Sequence, residues 1–355
     1  MIKIEPLFAT DSTQMRALMR HQNEPLPYES FCAEDALFRG GLTFWQHWLP
    51  CRWHIAPSIY LAKEDGVILA LISVSSIGKA RASWRIEHLV VHPHHRGRGI
   101  AQELLRYVFA LFGSQGVSHF VIEVSGQNAA ALSLLGSCGF RRSARSVHYR
   151  FGGEASSQKP PAEAPPFRLA LPSDRQALYQ LHQDALPPDL RLIYEYLPED
   201  FAVSDLPVES GDKFFKRLVR RKLWYWVLED KERRVITAAI QVRAHRESDY
   251  HLEFAIHPGW QHLAQEAVSF VLSAMARYGM RGMVIAKAYD YQPSVGDALQ
   301  QAKIEKEGEF FLMTREHWLR AKKPRSLKLD PVALPTIVKP AINLPRNLKV
   351  PFSGE

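Results

Sequence analysis

The chain repeats itself, and that repetition constrains its fold more than any other feature. A stretch beginning near Ala9, ATDSTQMRALMRHQNEPLP, aligns with LPSDRQALYQLHQDALPPD from Leu171, so that Asp11 falls on Asp174, Leu18 on Leu181 and Pro25 on Pro188. VILALISV from Val67 aligns with VITAAIQV from Val235, and LVVHP from Leu89 with FAIHP from Phe254. IAQELL from Ile100 aligns with LAQEAV from Leu263. Amphipathic helices share a period by chance, so one match would mean little. Four matches in the same order describe one supersecondary unit used twice.

Between the copies, GGEASSQKPPAEAPP (Gly152 to Pro166) is rich in Gly, Ser and Pro without apolar periodicity, which reads as a linker. The expected organisation is therefore a first domain over 1–151, a linker over 152–166, a second domain over 167–320 and a tail over 321–355. The tail has a proline every few residues, a density that forbids a helix interior or a central strand. It also holds much of the charge. The chain's net charge is +8, and from Ala321 onward seven basic residues stand against Asp330 and Glu355. The rest is only mildly basic, which argues against a nucleic-acid partner read by a patch on the fold.

Hydrophobic period sets the elements of the first copy. IKIEPLF reads as a strand, and Asp11 or Ser12 caps a helix through Arg20. A second helix is expected near Glu29 to Phe38. SIYLAKED and GVILALISVSSI form a hairpin around Asp65-Gly66, a strong turn pair. SWRIEHLVVH is a strand, a helix runs from about Gly99 to Phe112, HFVIEVS is a strand, NAAALSLLGSC a helix and FRRSARSVHYRF a last strand. The order βααβββαβαβ predicts an α/β fold, a mixed and mostly antiparallel sheet flanked by helices.

The most informative turn is VHPHHRGRGIAQ, from Val91 to Gln102, between a strand and a helix. A turn there aims several backbone N–H groups one way at the positive end of the helix dipole, which makes an anion site. Glycine allows close approach and positive φ, and arginine suits phosphate. A pyrophosphate is the expected ligand. The phosphate-loop pattern GxxxxGK[ST] is absent, and the dinucleotide fingerprint needs three spaced glycines where this loop has two.

Arg96-Gly97-Arg98-Gly99-Ile100-Ala101 after Val91-His92-Pro93, followed by Asn128-x-x-Ala131 and Gly139-Phe140, resembles the GNAT superfamily of N-acetyltransferases over roughly Ile2 to Phe151. The resemblance implies two tandem GNAT-like domains with acetyl-CoA, or another acyl-CoA, as donor. It implies that backbone amides from Arg96, Gly97, Arg98, Gly99, Ile100 and Ala101 hold the pyrophosphate. Leu89, Val90 and Val91 would pair with the pantetheine arm, and Asn128 would contact its thioester end. In the second copy the corresponding loop, Pro258 to Ala264, lacks the two spaced glycines and the arginines. That copy is expected to keep the fold and to have lost the donor site.

Transfer to a primary amine needs a neutral nucleophile. Deprotonating a lysine-like amine of pKa near 10.4 at pH 7.4 costs about 4 kcal/mol. Glu87, in the strand before the loop where the family often keeps a carboxylate, is the expected base, with His88 as runner-up. Strand neighbours face opposite ways, so only one of them should face the cleft. The family usually places a tyrosine acid four residues before Gly-Phe, where this chain has Leu135. Cys138, Ser133 and Tyr149 are the substitutes to examine, and a thiol of pKa about 8.5 leaves tolerably as thiolate. That departure keeps open an alternative, a non-catalytic acyl-CoA sensor or scaffold. A third reading, a binder of acidic surfaces through the tail, predicts salt-sensitive binding.

His88, His92, His94 and His95 do not have the spacing of a helical HExxH, so no metal is expected. Trp45, Trp48 and Trp53 could line an acceptor pocket, although buried aromatics more often serve a core. Cys32, Cys51 and Cys138 are odd in number and lack CxxC spacing, which suits a reducing cytoplasm. No apolar run is long enough to span a bilayer, so no membrane partner is expected. The acceptor, the acyl length and the oligomeric state are not written in the sequence.

Overall fold

The protein is described here from a computed structural model covering residues 2–20, 58–152, 167–201, 223–230, 232–244, 249–277 and 282–317. Met1–Leu319 form one compact unit. The first copy comprises β1 (Lys3–Pro6), α1 (Ser12–Met19), β2 (Ser58–Glu64), β3 (Val67–Ile77), β4 (Ser83–Val91), α2 (Ile100–Gly113), β5 (His119–Ser125), α3 (Ala129–Ser137) and β6 (Arg141–Gly152). The second comprises β7 (Arg168–Leu169), α4 (Arg175–Ala185), α5 (Pro188–Tyr194), β8 (Leu223–Asp230), β9 (Val235–Ala244), β10 (Asp249–Ile256), α6 (Ala264–Arg277), β11 (Met283–Tyr289), α7 (Pro293–Gln301) and β12 (Glu305–Glu316). The helix expected near Glu29 to Phe38, the three tryptophans, Cys32 and Cys51, most of the linker and the tail lie outside the described residues.

The hairpin signal acts as its chemistry predicts, whereas Asp11 stands at the N-cap of α1 without a side-chain cap hydrogen bond and turns its carboxylate back toward the preceding residues. Asp65 and Gly66 both take positive φ, 52° and 80°, which is the backbone a two-residue hairpin turn demands. The Asp11 carboxylate accepts from the Phe8 N–H at 3.0 Å and from Lys63 Nζ at 2.8 Å. Its repeat partner Asp174 accepts from the Leu171 N–H at 2.7 Å and from Arg168 at 2.6 Å. Leu18 and Leu181 are both buried under the helices they belong to. The duplication is therefore visible in contacts as well as in letters.

All the described strands join one 12-stranded sheet in the order β1-β2-β3-β4-β5-β12-β6-β11-β10-β9-β8-β7. Among the described strands only β4–β5 and β10–β11 pair parallel; the other pairs are antiparallel. The two copies exchange their last strands. β6 pairs with β11 of the second copy, and β12 returns to lie between β5 and β6. Tyr149 and Phe151 of β6 consequently enter the core under α6 and α7, while Met313 of β12 enters the core under α2. Helix α5 lies over the seam, where Leu190, Ile193 and Tyr194 pack on Val121, Ala144 and Leu312. A fully buried side chain of this size contributes about 1.5–3 kcal/mol, so each copy's core depends on the other's strand.

At the seam Lys287 Nζ donates to Glu123 Oε2 at 2.7 Å, with both side chains buried. Ser146 donates to the other oxygen of Glu123, and the His148 ring stacks on Phe310 at 4.2 Å. These five residues come from four strands, β5, β6, β11 and β12, so the network joins strands of both copies.

Candidate active site

Strand β4 positions the site by being irregular. Its partner register on β3 runs Leu89 to Ile72 and His88 to Ser73, then jumps to Ile86 opposite Val74, so Glu87 is an extra, bulged residue. The bulge resets the alternation. Trp84 and Ile86 lie in the core under α2, and so do Leu89 and Val91, whereas Val90 packs with Leu18 and Met19 of α1. Glu87 and His88 therefore share the face opposite α2, against the expectation from simple alternation. Glu87 lines a cavity of about 310 Å³, while His88 is buried outside it. Ser75 of β3 donates a hydrogen bond to Glu87 Oε1.

The pairing of β4 with β5 covers only Ser83, Trp84 and Arg85. From Ile86 onward the two strands splay, and the stretch holding Leu89, Val90 and Val91 has no ladder partner on that side. The β4 chain then enters a 3-10 turn, Pro93–His95, where His92 Nδ1 accepts from the His94 N–H at 3.4 Å. Gly97 and Gly99 follow at φ +77° and +78°, and a Cβ on either would meet nothing within 4 Å. Both glycines are thus needed for conformation, and both leave space above the backbone. The α2 ladder begins with the Glu103 N–H donating to the Gly99 carbonyl at 3.1 Å. The amides of Ile100, Ala101 and Gln102 have no partner within the helix, so they are donors at the positive end of its dipole. Arg98 is held by Glu64 at 3.2 Å and by His95 at 2.8 Å, and its hydrogen bond holds the Glu64 carboxyl below the usual carboxylate range. Arg96 Nε donates to the Val91 carbonyl at 3.4 Å.

Residues 16–140 match the model of the acetyltransferase (GNAT) family. This stretch is similar to a GNAT acetyltransferase domain. The chain is 32% identical over 91 residues to a probable N-acetyltransferase family 8 member 5 of Mus musculus, a match covering 25% of this chain and 40% of that protein. It is 35% identical over 96 residues to the N-alpha-acetyltransferase MAK3 of Arabidopsis thaliana, covering 26% and 50%. The chain thus spans half or less of the curated relatives it matches. A solved tandem GNAT protein from the clavulanic acid biosynthesis pathway shares the fold over 90% of this chain and all of that one, at 13% identity and TM-score 0.56. The tandem architecture read from the repeat is therefore a known arrangement of the GNAT fold.

Other expected residues of the GNAT domain fall in less simple places. Asn128 caps α3, its Oδ1 accepting from the Ala131 N–H at 2.8 Å, so the Asn-x-x-Ala spacing is a helix start in its own right. Leu135 is buried in the core beneath α2. Cys138 packs at the edge of that core and Ser133 is exposed on α3. Tyr149 is buried in the other copy's core, where its hydroxyl accepts from Gln300 at 3.0 Å. None of these four lines the cavity with Glu87. Among the described residues no group of His, Cys, Asp and Glu has the arrangement of a metal site, and no helix is long and apolar enough to cross a membrane.

Much of the cavity wall comes from the second copy, which the sequence reading assigned no residue of the site. His182 of α4, Tyr225 of β8 and Arg243 of β9 line it, as do Glu253 of β10 and Lys287 of β11. Tyr194 and Tyr196 stack at 5.5 Å, and Tyr289 and Tyr291 at 4.9 Å, and all four reach the cavity. Burial pushes the hydroxyls of Tyr196, Tyr225 and Tyr291 up and keeps them protonated. Burial also pushes His182 down to about 4, so its imidazole is neutral at ordinary pH. Its Nε2 has no hydrogen-bond partner among the described residues. The two Tyr-x-Tyr pairs were the available signal in the sequence, but nothing local says that they meet β4.

Proposed function

We propose that the protein is an acyl-CoA-dependent N-acyltransferase, with acetyl-CoA as donor, that moves the acyl group to a primary amine by direct attack. The observation that carries the reading is a pair of features on one strand: a bulge that turns Glu87 into a cavity, and a left-handed glycine loop opening α2 just beyond. In this reading residues 1–151 form the catalytic domain and 167–320 a GNAT-like domain without a donor site. The open space over Gly97 and Gly99 and the amides at the start of α2 fit a pyrophosphate. The unpaired stretch from Leu89 to Val91 fits an extended arm joined by backbone hydrogen bonds, with Asn128 near its reactive end.

The thioester supplies the acyl group. Glu87, directly or through a water, takes a proton from the amine as its nitrogen forms the new C–N bond and the C–S bond breaks. The hydrogen bond from Ser75 orients the carboxylate. With Leu135 in the core, no side chain at the usual acid position reaches the leaving sulfur, so the thiol departs as thiolate and is protonated from solvent. The same leucine supports a second reading, a donor-binding sensor without turnover. Cysteine usage suits a reducing compartment.

The test is a thermal melt of the full chain with and without acetyl-CoA, followed by thiol release across a panel of amines. The reading predicts a rise in melting temperature, its loss in Gly99→Trp, and turnover that falls in Glu87→Gln. Donor binding with no turnover on any amine would select the sensor reading. No donor binding would remove both.

A further inference from the structure

The charged groups that line the cavity are already engaged. Arg243 donates to Gln241 at 3.0 Å and faces Glu253 at 3.6 Å. Lys287 is bound to the buried Glu123 at 2.7 Å. Asp200 accepts from the Leu197 and Lys79 amides at 2.8 and 2.9 Å. Arg85 has its own partner. Glu87 accepts from Ser75, and a carboxylate takes more than one hydrogen bond, so this bond leaves it able to receive an amine. A guest with a second charge would leave water and meet only opposite charges that are paired elsewhere, which is costly. Apart from its amine, the guest that suits this cavity is therefore uncharged.

The neutral lining is rich in rings. Tyr196 stands between the walls, because the charges of Arg85 on β4 and of Arg243 and Glu253 on β9 and β10 all act on its hydroxyl. Phe201 meets the Tyr196 ring edge-on at 5.4 Å and lies 4.6 Å from the His182 ring. The duplication shows what is particular to this place. Met19 aligns with His182, and Ile59 corresponds to Tyr225, since Ile59 pairs with Ser73 as Tyr225 pairs with the aligned Gln241. Met19 and Ile59 are sealed in the apolar core under α1. In the second copy the same two places hold a neutral imidazole and a protonated phenol, both on the wall of a cavity of about 310 Å³. Packing alone explains the first arrangement. Rings with a few neutral polar atoms around a space of metabolite size are the lining of a small-molecule site.

We propose that the acyl acceptor is a small aromatic monoamine, with its amine at Glu87 of the first copy and its ring among Tyr196, Tyr225 and Phe201 of the second. The inference rests on the acyltransferase reading and deepens it by naming the substrate class. Aromatic walls receive a flat ring face-on or edge-on, a gain that a ringless amine of similar size does not share. The second copy, without the glycine loop, is the half that recognises the body of the acceptor. Tyr196 is a specificity residue, and its role is read in KM.

The experiment measures thiol release from acetyl-CoA with phenethylamine, tyramine and tryptamine. Each is set against amines that lack one feature: isoamylamine without the ring, L-phenylalanine and putrescine with a second charge, and glucosamine with hydroxyls in place of an aromatic face. A lysine-rich protein completes the panel. The expected result is that at least one aromatic monoamine is acetylated, with kcat/KM about tenfold or more above every comparison amine. Tyr196→Leu should bring the aromatic amines down to the level of isoamylamine through KM, while Tyr196→Phe keeps the preference, both in variants whose melting temperature still rises with acetyl-CoA. Equal or better use of isoamylamine, of a doubly charged amine, of glucosamine or of the protein would overturn the proposal, as would no amine accepted by a protein that binds acetyl-CoA. A Tyr196→Leu that slows all amines alike would overturn the role of that ring, and should the variant fail to fold, the wild-type ranking decides the substrate class by itself. Absence of acetyl-CoA binding would instead strike the acyltransferase reading itself, so the two failures are distinct.

Discussion

Strands β4 and β10 hold the same place in the two copies, and they differ by one residue. Aligning VILALISV on VITAAIQV sets Ser73, Val74 and Ser75 on Gln241, Val242 and Arg243. Their partners across the sheet are His88, Ile86 and Arg85 in one copy and Glu253, Leu252 and His251 in the other. Glu87 has no counterpart, and the β9–β10 register runs without a shift. The next turn differs in the same direction. Arg96 and Gln261 each donate to the carbonyl at the end of their strand, Val91 and Ile256. Beyond them, Gly97, Arg98 and Gly99 stand where the second copy has His262 alone before its helix-facing Leu263. No residue there has positive φ, and Ser294 of α7 bonds to the Gln261 side chain. One copy thus has a bulge, a left-handed loop and exposed amides. The other has a regular strand and a closed turn. A duplicated fold tolerates this difference because the core is built by the strands and helices, while the proposed donor and base sites need the irregular backbone.

The comparison can be broken most decisively at the loops. Gly99→Trp should abolish the rise in melting temperature with acetyl-CoA, which amounts to about 2.7 kcal/mol of stability at a hundred times Kd, whereas the matched His262→Trp should leave it intact. Loss in both would mean that the second loop also holds donor. Glu87→Gln should lower turnover by about 10²–10⁴-fold with donor binding unchanged, and rapid-mix kinetics would separate the two. A third test concerns what the copies share. Lys287→Met should destabilise the protein by about 3–5 kcal/mol, because Glu123 would stay buried without its cation, and chemical denaturation would measure it. The smallest effect belongs to His182. Its folded value of about 4 lies below the ordinary 6.5, so the unfolded chain binds the extra proton first as pH falls. Stability contributed by the neutral ring is present above 6.5 and is lost on acidification toward 4. His182→Phe should flatten the dependence of melting temperature on pH in that window.

The residues that could be read early were those whose meaning is local. Asp65-Gly66 announces its hairpin, while Asp11 and Asp174 mark the helix starts without capping them, each carboxylate accepting from the amide three residues earlier. Gly97 and Gly99 were legible for the same reason: positive φ is a property of the residue. Glu87 was singled out by its place before the loop, but the argument that its neighbour His88 must face the other way failed, since a bulge is a register event between strands. Asn128 was read as a ligand contact, and its helix-capping role is equally local yet was overlooked.

The sequence by itself determined that the chain is a duplicated α/β unit, that one copy carries a strand–glycine loop–helix, and that the other does not. Period, turn chemistry and the alignment of the copies suffice for that, because each depends on neighbours along the chain. Only the tertiary structure decided that β6 and β12 change places, that Glu123 and Lys287 meet across the exchanged strands, and that Arg243, His182 and the tyrosine pairs of the second copy face Glu87. Those contacts join residues far apart in the chain through a sheet order that either hydrophobic pattern would satisfy with its strands unexchanged, so no local rule could select it.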